Sequence, residues 1–359
     1  MSYQIGEKIR VTIFGQSHSE AIGAVIDGIP AGIRLDTDKI RAHMQRRAPG
    51  RDRFSTPRRE TDEPEIISGL SDGITCGAPI CAVIKNTNTK SSDYESLKYL
   101  PRPGHSDFAA FMKYGGANDI RGGGQFSGRM TAPLCFAGAV CMQLLEEDGI
   151  FVGAHIAKIH GVSDEAFDAA NVEKNLLDGL KNKPFAVISD AQGEKMKAEI
   201  AKAKENLDSV GGVIECAVLG MPPGIGGALF DGLEGCISKA VFGIPAVKGI
   251  EFGAGFAAAD MYGSENNDSF YFAENGKVKT RTNNHGGILG GISSGMPLIF
   301  RTAVKPTPSI ACTQKTVNLK TGTEEKLKIT GRHDPCIVHR AVPAVESAAA
   351  IAILDKMRG

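Results

Sequence analysis

The sequence contains no tryptophan, and aromatic residues make up only 6% of its 359 positions. It has no net charge either, with 41 Lys plus Arg against 41 Asp plus Glu. No global field therefore draws it to nucleic acid or to an anionic membrane, and any anion affinity must be local. No stretch reaches the ~18 apolar residues of a membrane helix, and the opening Met1-Ser-Tyr-Gln-Ile-Gly-Glu-Lys lacks the apolar segment of a secretory leader. A cytoplasmic protein with neither nucleic-acid nor membrane partners is expected. Eight cysteines (Cys76, Cys81, Cys135, Cys141, Cys216, Cys236, Cys312, Cys336) form no CxxC pair and no Cys/His spacing of a zinc site. Free thiols in a reducing compartment are the expectation.

What is present is an ordinary globular balance, 42% hydrophobic and 23% charged, which excludes a disordered or collagen-like chain. Glycine stands out at 44 residues, about 12% against a usual ~7%, a sign of tight loops and close backbone approach. Two echoes run through the chain in the same order. Val25-Ile-Asp-Gly-Ile-Pro-Ala-Gly-Ile33 returns as Ala217-Val-Leu-Gly-Met-Pro-Pro-Gly-Ile225, at an offset of 192. Gly69-Leu-Ser-Asp-Gly-Ile-Thr-Cys-Gly-Ala-Pro-Ile80 returns as Gly287-Ile-Leu-Gly-Gly-Ile-Ser-Ser-Gly-Met-Pro-Leu298, at an offset of 218. The order suggests duplication; the alternative is two unrelated turns of similar type.

Runs rich in β-branched and apolar residues at 10–14, 23–29, 80–84, 213–219 and 298–304 read as strands. Asp36 or Asp38 can cap a helix through about Arg47, and 132–145 and 341–357 are apolar, small-residue stretches long enough for buried helices. Pro343 then sits in the first turn of the last helix, where its missing N–H is harmless. Strands often join through Gly/Pro turns without a crossover helix, which favours an α+β protein with antiparallel sheets and packed helices over a doubly wound parallel sheet. No linker composition divides the chain, so one compact unit over 1–359 is expected, with internal halves of roughly 1–190 and 191–359.

Between Arg41 and Arg59 lie seven arginines (41, 46, 47, 51, 53, 58, 59), opposed only by Asp52. Arginine throughout suits planar, bidentate grip on carboxylate or phosphate. A small anionic substrate, a solvated or subunit-facing surface, and a nucleic-acid patch are the three readings; neutrality and the near absence of aromatics disfavour the last. Arg121-Gly-Gly-Gly-Gln-Phe-Ser-Gly-Arg129 offers consecutive flexible amides just before a helix, an anion cradle or simply a tight turn. It is neither a Rossmann fingerprint nor a P-loop. Three polar clusters occupy turn contexts: Gly15-Gln-Ser-His18, Arg102-Pro-Gly-His105-Ser-Asp107 and Gly331-Arg-His-Asp-Pro-Cys336. His18 and His105 have no partner at metal-ligand spacing, so acid/base roles are preferred to metal binding.

Taken together, these motifs resemble the chorismate synthase family. The resemblance runs from Phe14-Gly-Gln-Ser-His18 through Arg46-Arg-Ala-Pro-Gly50, the segment 102–107, Arg121-Gly-Gly-Gly, Ala246-Val-Lys-Gly, Gly286–Gly295 and Lys305-Pro-Thr-Pro-Ser309 to 331–336. It implies a β-α-β sandwich with internal pseudo-duplication, a lyase that converts 5-enolpyruvylshikimate 3-phosphate to chorismate, reduced FMN used without net redox change, and a homotetramer. Carried over by position, it assigns His18 as proton donor to the departing phosphate. His105 would stabilise reduced flavin near N1 and the C2 carbonyl, and Asp334 would support proton handling at N5. Flavin contacts fall on Gln125, Phe126, Ser127, Ala246, Gly290, Lys305, Pro306, Thr307, Pro308, Ser309 and Arg332. Ser17, Arg46, Arg47, Arg53 and Arg129 fall on substrate or NADP positions, NADPH being a candidate reductant.

The sequence departs from the family pattern at two places. The first signature usually reads Gly-Glu-Ser-His-Gly, whereas Gln16 and Ser19 flank Ser17-His18 here. The glycine loop usually carries an Arg and a Glu where this chain has Gln125 and Met130. One charge of each sign is lost, so the expectation is a variant site with its net charge kept. Two other readings compete: an NADPH-dependent flavin reductase, and a non-catalytic protein that binds anions through the arginine segment.

Overall fold

The computed structural model describes residues 3–50, 60–87, 98–329 and 334–358. In the first half, β1 (Gln4–Ile5), β2 (Arg10–Gly15), β3 (Ala21–Asp27) and α1 (Thr37–Arg47) are followed by β4 (Glu65–Ser68), the small hairpin β5 (Leu70–Ser71) and β6 (Ile74–Thr75), and β7 (Ile80–Lys85). Then come α2 (Asp107–Tyr114) and α3 (Thr131–Glu147). The second half, which begins with β8 near residue 151 because that strand joins the second sheet, and not near 191 as expected, runs β8 (Phe151–Ile159), β9 (Val162–Ser163), α4 (Lys174–Lys181), α5 (Asp190–Glu205), β10 (Gly212–Leu219), α6 (Leu233–Val241) and β11 (Val247–Phe252). It continues with α7 (Gly263–Asn266), β12 (Phe270–Phe272), β13 (Val278–Thr280), β14 (Ile288–Leu289), β15 (Ile292–Ser293), β16 (Leu298–Val304), β17 (Gln314–Asn318), β18 (Thr323–Leu327) and α8 (Val338–Met357).

Two five-stranded antiparallel sheets, ordered β1-β2-β3-β7-β4 and β11-β16-β10-β8-β9, enclose a layer of helices formed by α1, α3, α6 and α8. The central pair, α3 and α8, is rich in alanine and almost wholly buried. Gly138 meets Ser347 so closely that any side chain there would overlap it. Small side chains thus let two helices share the middle of a sandwich that contains no tryptophan.

The two halves repeat one another bond for bond around their turns. Ile33 N–H donates to Thr75 Oγ1 at 2.9 Å, and that hydroxyl donates to the Pro30 carbonyl at 2.7 Å. Ile225 N–H donates to Ser293 Oγ at 2.9 Å, and that hydroxyl donates to the Pro222 carbonyl at 2.6 Å. The isolated bridges Arg34–Ile74 and Gly226–Ile292 correspond in the same way. The halves differ in cover: α4 packs on β8, so β10 reads as a nearly continuous buried run, whereas Phe14 on β2 and Ile67 on β4 remain exposed.

Most expected segments shift by only one or two residues at an end, and two differences have a clear physical reason. β3 spans 21–27 rather than 23–29, because Gly28 turns the chain at its end. α8 starts at Val338, so Pro343 lies in its second turn, where its missing N–H forfeits a bond to the His339 carbonyl. The surrounding helices override that local penalty by burying nearly every side chain from Val338 to Leu354. All eight cysteines are free thiols, four of them buried. Among the described residues no helix is long and apolar enough to cross a membrane.

Candidate active site

A cleft of about 660 Å³, within the range of small-molecule sites, opens where both halves meet. Its walls come from Ser17, the end of α1 (Arg47, Pro49), Glu60, 102–106, the glycine loop 122–131, 242–248 after α6, 305–309 after β16, and the start of α8 with Asp334. A smaller cavity of about 350 Å³ adjoins it, sharing Gly104, Lys305, Thr307 and Pro308 and adding Pro306, Asp208 and Ser209.

The three glycines form the wall shared by the two histidines. Gly122, at φ +60°, lies so near the β2–β3 turn that a Cβ would stand 2.5 Å from Ser17 Oγ and 2.7 Å from His18 Nε2. At Gly123 a Cβ would stand 3.2 Å from His105 Nε2. Ser17 N–H donates to the Gly124 carbonyl at 3.1 Å, which ties the turn to the loop. His18 is 8% exposed against Gly122, while His105 faces the cleft. Ser19, where the family usually has glycine, closes its own turn: its hydroxyl accepts from Gln16 N–H at 2.9 Å and donates to the Gln16 and Ala21 carbonyls. Gln125 donates to Tyr114 Oη at 3.0 Å, so its side chain is anchored on α2.

Behind the cations stand buried carboxylates. Arg47 and Arg129 both pair with Asp62, and Arg129 also pairs with Glu60 at 3.0 Å. Arg47 Nε donates to Thr131 Oγ1 at 3.1 Å and Arg129 Nε to Asn86 Oδ1 at 2.9 Å. Burial alone would raise the Asp62 carboxyl, but Arg47 and Arg129 outweigh it and hold it below the usual carboxylate range. Arg102 grips Asp107 through Nε at 2.7 Å and Nη2 at 2.9 Å, and donates to Ser309 Oγ at 3.1 Å. Burial pushes the His105 imidazole below its ordinary pKa; the hydrogen bond to Asp107 opposes this, while Arg102 and Lys305 reinforce it. Lys305 is lowered by burial and by Lys248, and donates to the Gly104 carbonyl at 2.5 Å. Asp334 accepts from Arg340 Nη1 at 2.8 Å. Ala246 carries a left-handed backbone, φ +75°, at the cleft wall, the kind of strain that clusters at functional sites.

Most residues named from sequence come together here: Ser17, His105, Gln125, Phe126, Ser127, Arg47, Arg129, Ala246, Lys305, Thr307, Pro308, Ser309 and Asp334 all line the cleft. His18 adjoins it through Gly122, and Pro306 lies in the adjoining cavity. Two residues lie elsewhere. Arg46 points into the helix layer, where it pairs with the fully buried Glu346 of α8 at 2.5 Å, and Glu346 also accepts from Ala154 N–H. Gly290 sits at the tip of the β14–β15 hairpin, away from the cleft wall. Arg53 and Arg332 fall outside the described residues. The sequence reading gave no role to Asp62, Glu60, Lys248 or Arg340. Arg102 and Asp107 sat inside a quoted motif, but nothing in the letters tied them to His105.

Comparison with known proteins identifies the family and the fold. A family model described as Chorismate synthase matches residues 9–357. A chorismate synthase of Dehalococcoides mccartyi is 48% identical over 355 residues, covering 99% of this chain and 96% of the relative. One of Korarchaeum cryptofilum is 44% identical over 362 residues, covering 99% and 98%. A crystal structure of chorismate synthase superposes with a TM-score of 0.76 at 28% identity, covering 98% of this chain and 92% of the other. Matched along nearly its whole length in sequence and in fold, the chain belongs to the chorismate synthase family.

Proposed function

We propose that the cleft carries out the chorismate synthase reaction: 1,4-anti elimination of phosphate from 5-enolpyruvylshikimate 3-phosphate to chorismate, the last step of the shikimate pathway, with reduced FMN bound beside the substrate. The observation that carries this reading is the glycine loop, which sets Ser17 and His18 against Gly122 and His105 against Gly123 beside six cationic side chains, from Arg47, Arg102, Arg129, Lys248, Lys305 and Arg340. A substrate with one phosphate and two carboxylates suits that cation set. Its guanidiniums are already held by Asp62, Asp107 and Asp334, so little reorganisation opposes binding.

The residues fit a flavin nucleotide. A Cβ at Gly122 or Gly123 would crowd the cradle, Phe126, Ile244, Ala246 and Ile337 offer apolar surface to a flat ring, and Lys305, Thr307 and Ser309 offer polar partners for a phosphate. When bound, reduced FMN would supply an electron-rich ring for C–O cleavage with no net redox change. Around it, Arg129, Arg47 and Ser17 orient the anionic substrate. His18 gives a proton to the departing phosphate, a general-acid role. His105 would face the flavin as its hydrogen-bonding partner at N1 and the C2 carbonyl, and Asp334, held by Arg340 at 2.8 Å, would support proton handling at N5. NADPH is proposed as a reductant, with Arg47 and Arg53 as contacts.

The protein is further proposed to act in the cytoplasm as a homotetramer. Phe230 is 97% and Leu229 88% exposed, and the nearby β14–β15 hairpin exposes Leu289 and Ile292 around Gly290. Apolar surface of this extent is what a second copy would cover, and such a contact would give Gly290 a route to a neighbouring site. Light scattering that finds a stable, active monomer overturns the assembly.

An anaerobic assay with dithionite-reduced FMN tests the activity. Chorismate is expected only with reduced flavin, with reductant consumed far below one equivalent per product. Stoichiometric consumption overturns the redox-neutral scheme, and steady NADPH oxidation without the shikimate ester favours a flavin reductase instead.

A further inference from the structure

We propose that Asp107 is a positioning residue that holds His105 as the Nδ1–H tautomer and so makes Nε2 the proton-exchanging nitrogen on the cleft side. The inference rests on the reading of His105 as the flavin-facing group, yet its first observable belongs to the chain alone.

Asp107 opens α2, where a negative charge is favoured by the helix N-terminus, and it is 9% exposed. Its Oδ2 accepts from Arg102 N–H at 3.0 Å and Arg102 Nε at 2.7 Å, and its Oδ1 accepts from Arg102 Nη2 at 2.9 Å. The same Oδ1 stands 2.6 Å from His105 Nδ1. A carboxylate held by a guanidinium in this way is ionised and can only accept, so the proton at that contact belongs to Nδ1. Burial, Arg102 and Lys305 disfavour a second proton on the ring, which leaves Nε2 with a lone pair. Arg102 Nη2 lies 3.2 Å from Nδ1 and 3.3 Å from Nε2, so this guanidinium favours neither tautomer and the choice rests on the Asp107 contact.

The consequence is chemical. In this tautomer the carboxylate raises the basicity of Nε2, the ring atom beside Gly123, so this nitrogen gains a proton when negative charge enters the cleft and returns it when that charge leaves. The other tautomer would place the exchanging lone pair against Asp107, where two negative centres would repel. The charged groups facing the ring are Arg102 and Asp107 from its own segment and Lys305 from the strand end opposite, with the Ser106 hydroxyl 3.4 Å from Nδ1.

The test is histidine ¹⁵N chemical shifts of the full chain without ligand at neutral pH, with His105 assigned through its Gln variant. Wild type is expected to show a neutral ring protonated on Nδ1. Asp107→Asn is expected to populate the Nε2–H form and to lower kcat about 10²-fold with KM changed less than tenfold, on the scale of one acid–base group. Asp107→Glu, which keeps the acceptor, is expected to retain the wild-type tautomer and regain part of kcat. An Nε2–H ring in wild type, or an unaltered tautomer in folded Asp107→Asn, overturns the proposal. If Asp107→Asn fails to fold, the wild-type and Asp107→Glu spectra decide. An absence of chorismate with the expected tautomers counts against the proposed reaction and leaves the Asp107 assignment standing.

Discussion

Where α1 ends, the first half delivers Arg47 and Pro49 to the cleft; where α6 ends, the second half delivers Phe242, Gly243, Ile244, Pro245 and Ala246. The two helices follow turns built on the same hydrogen bonds, Thr75 in one and Ser293 in the other. One scaffold used twice therefore puts an arginine at the cleft from the end of one helix and a mostly apolar segment from the end of its counterpart, while cations reach the cleft from both halves. The repeat supplies position, and the side chains at the two helix ends differ in chemistry.

The sharpest way to break this division is at the histidines. His18→Ala is expected to slow phosphate departure by ~10²–10⁴ while flavin still binds, and His105→Ala to shift the flavin spectrum or midpoint potential when substrate is present. Anaerobic titrations with single-turnover chorismate formation measure both, and identical behaviour of the two variants removes the division of labour.

Glycines of equal backbone strain come next. Gly122→Ala, at φ +60° with its Cβ 2.5 Å from Ser17 Oγ, is expected to lower kcat at least 10²-fold. Gly290→Ala, at φ +61° in open space, costs about 1–2 kcal/mol of stability in the isolated chain. Equal losses of kcat in the two variants would show that the loop's closeness to the histidines is irrelevant.

Adjacent arginines make the third contrast. Arg46→Ala strands the buried Glu346 and is expected to cost about 3–5 kcal/mol of stability by denaturant melts, leaving substrate affinity intact. Arg47→Ala leaves Asp62 its partner Arg129, and is expected to weaken substrate binding roughly ten- to hundred-fold. Substrate affinity with oxidised FMN distinguishes them; unchanged affinity in Arg47→Ala assigns that residue to structure.

The same helix layer carries a pH response. Burial pulls His43 down to about 4, against Glu346, which would raise it, and His43 Nε2 contacts Ser347 Oγ at 2.9 Å. The folded value lies below the unfolded 6.5, so the contribution is present above pH 6.5 and lost as pH falls toward about 4. His43→Gln is expected to flatten stability across that window, and an unchanged slope sinks the assignment. The smallest effect tests the repeat itself: Thr75→Ala and Ser293→Ala should each cost about 1 kcal/mol, and similar amounts. A difference of several-fold between them would mean that the matching bonds carry unequal weight.

Sequence by itself determined the periodic apolar segments that became β2, β7, β10, β16, α1, α3 and α8, and the glycine turns that recur at two offsets. These are local signals: side-chain period, capping by Asp36, and turns that need positive φ. It also marked both histidines, because each sits in a turn that few residues can form. Tertiary structure alone decided which arginine serves which purpose. Arg46 and Arg47 are neighbours in the same helix and identical in type, yet a single step of about 100° around the axis sends one to Glu346 and the other to the cleft. It likewise chose Asp62 as the counter-ion of Arg47 and Arg129, since that pairing depends on how separate segments pack and leaves no periodic trace in the chain.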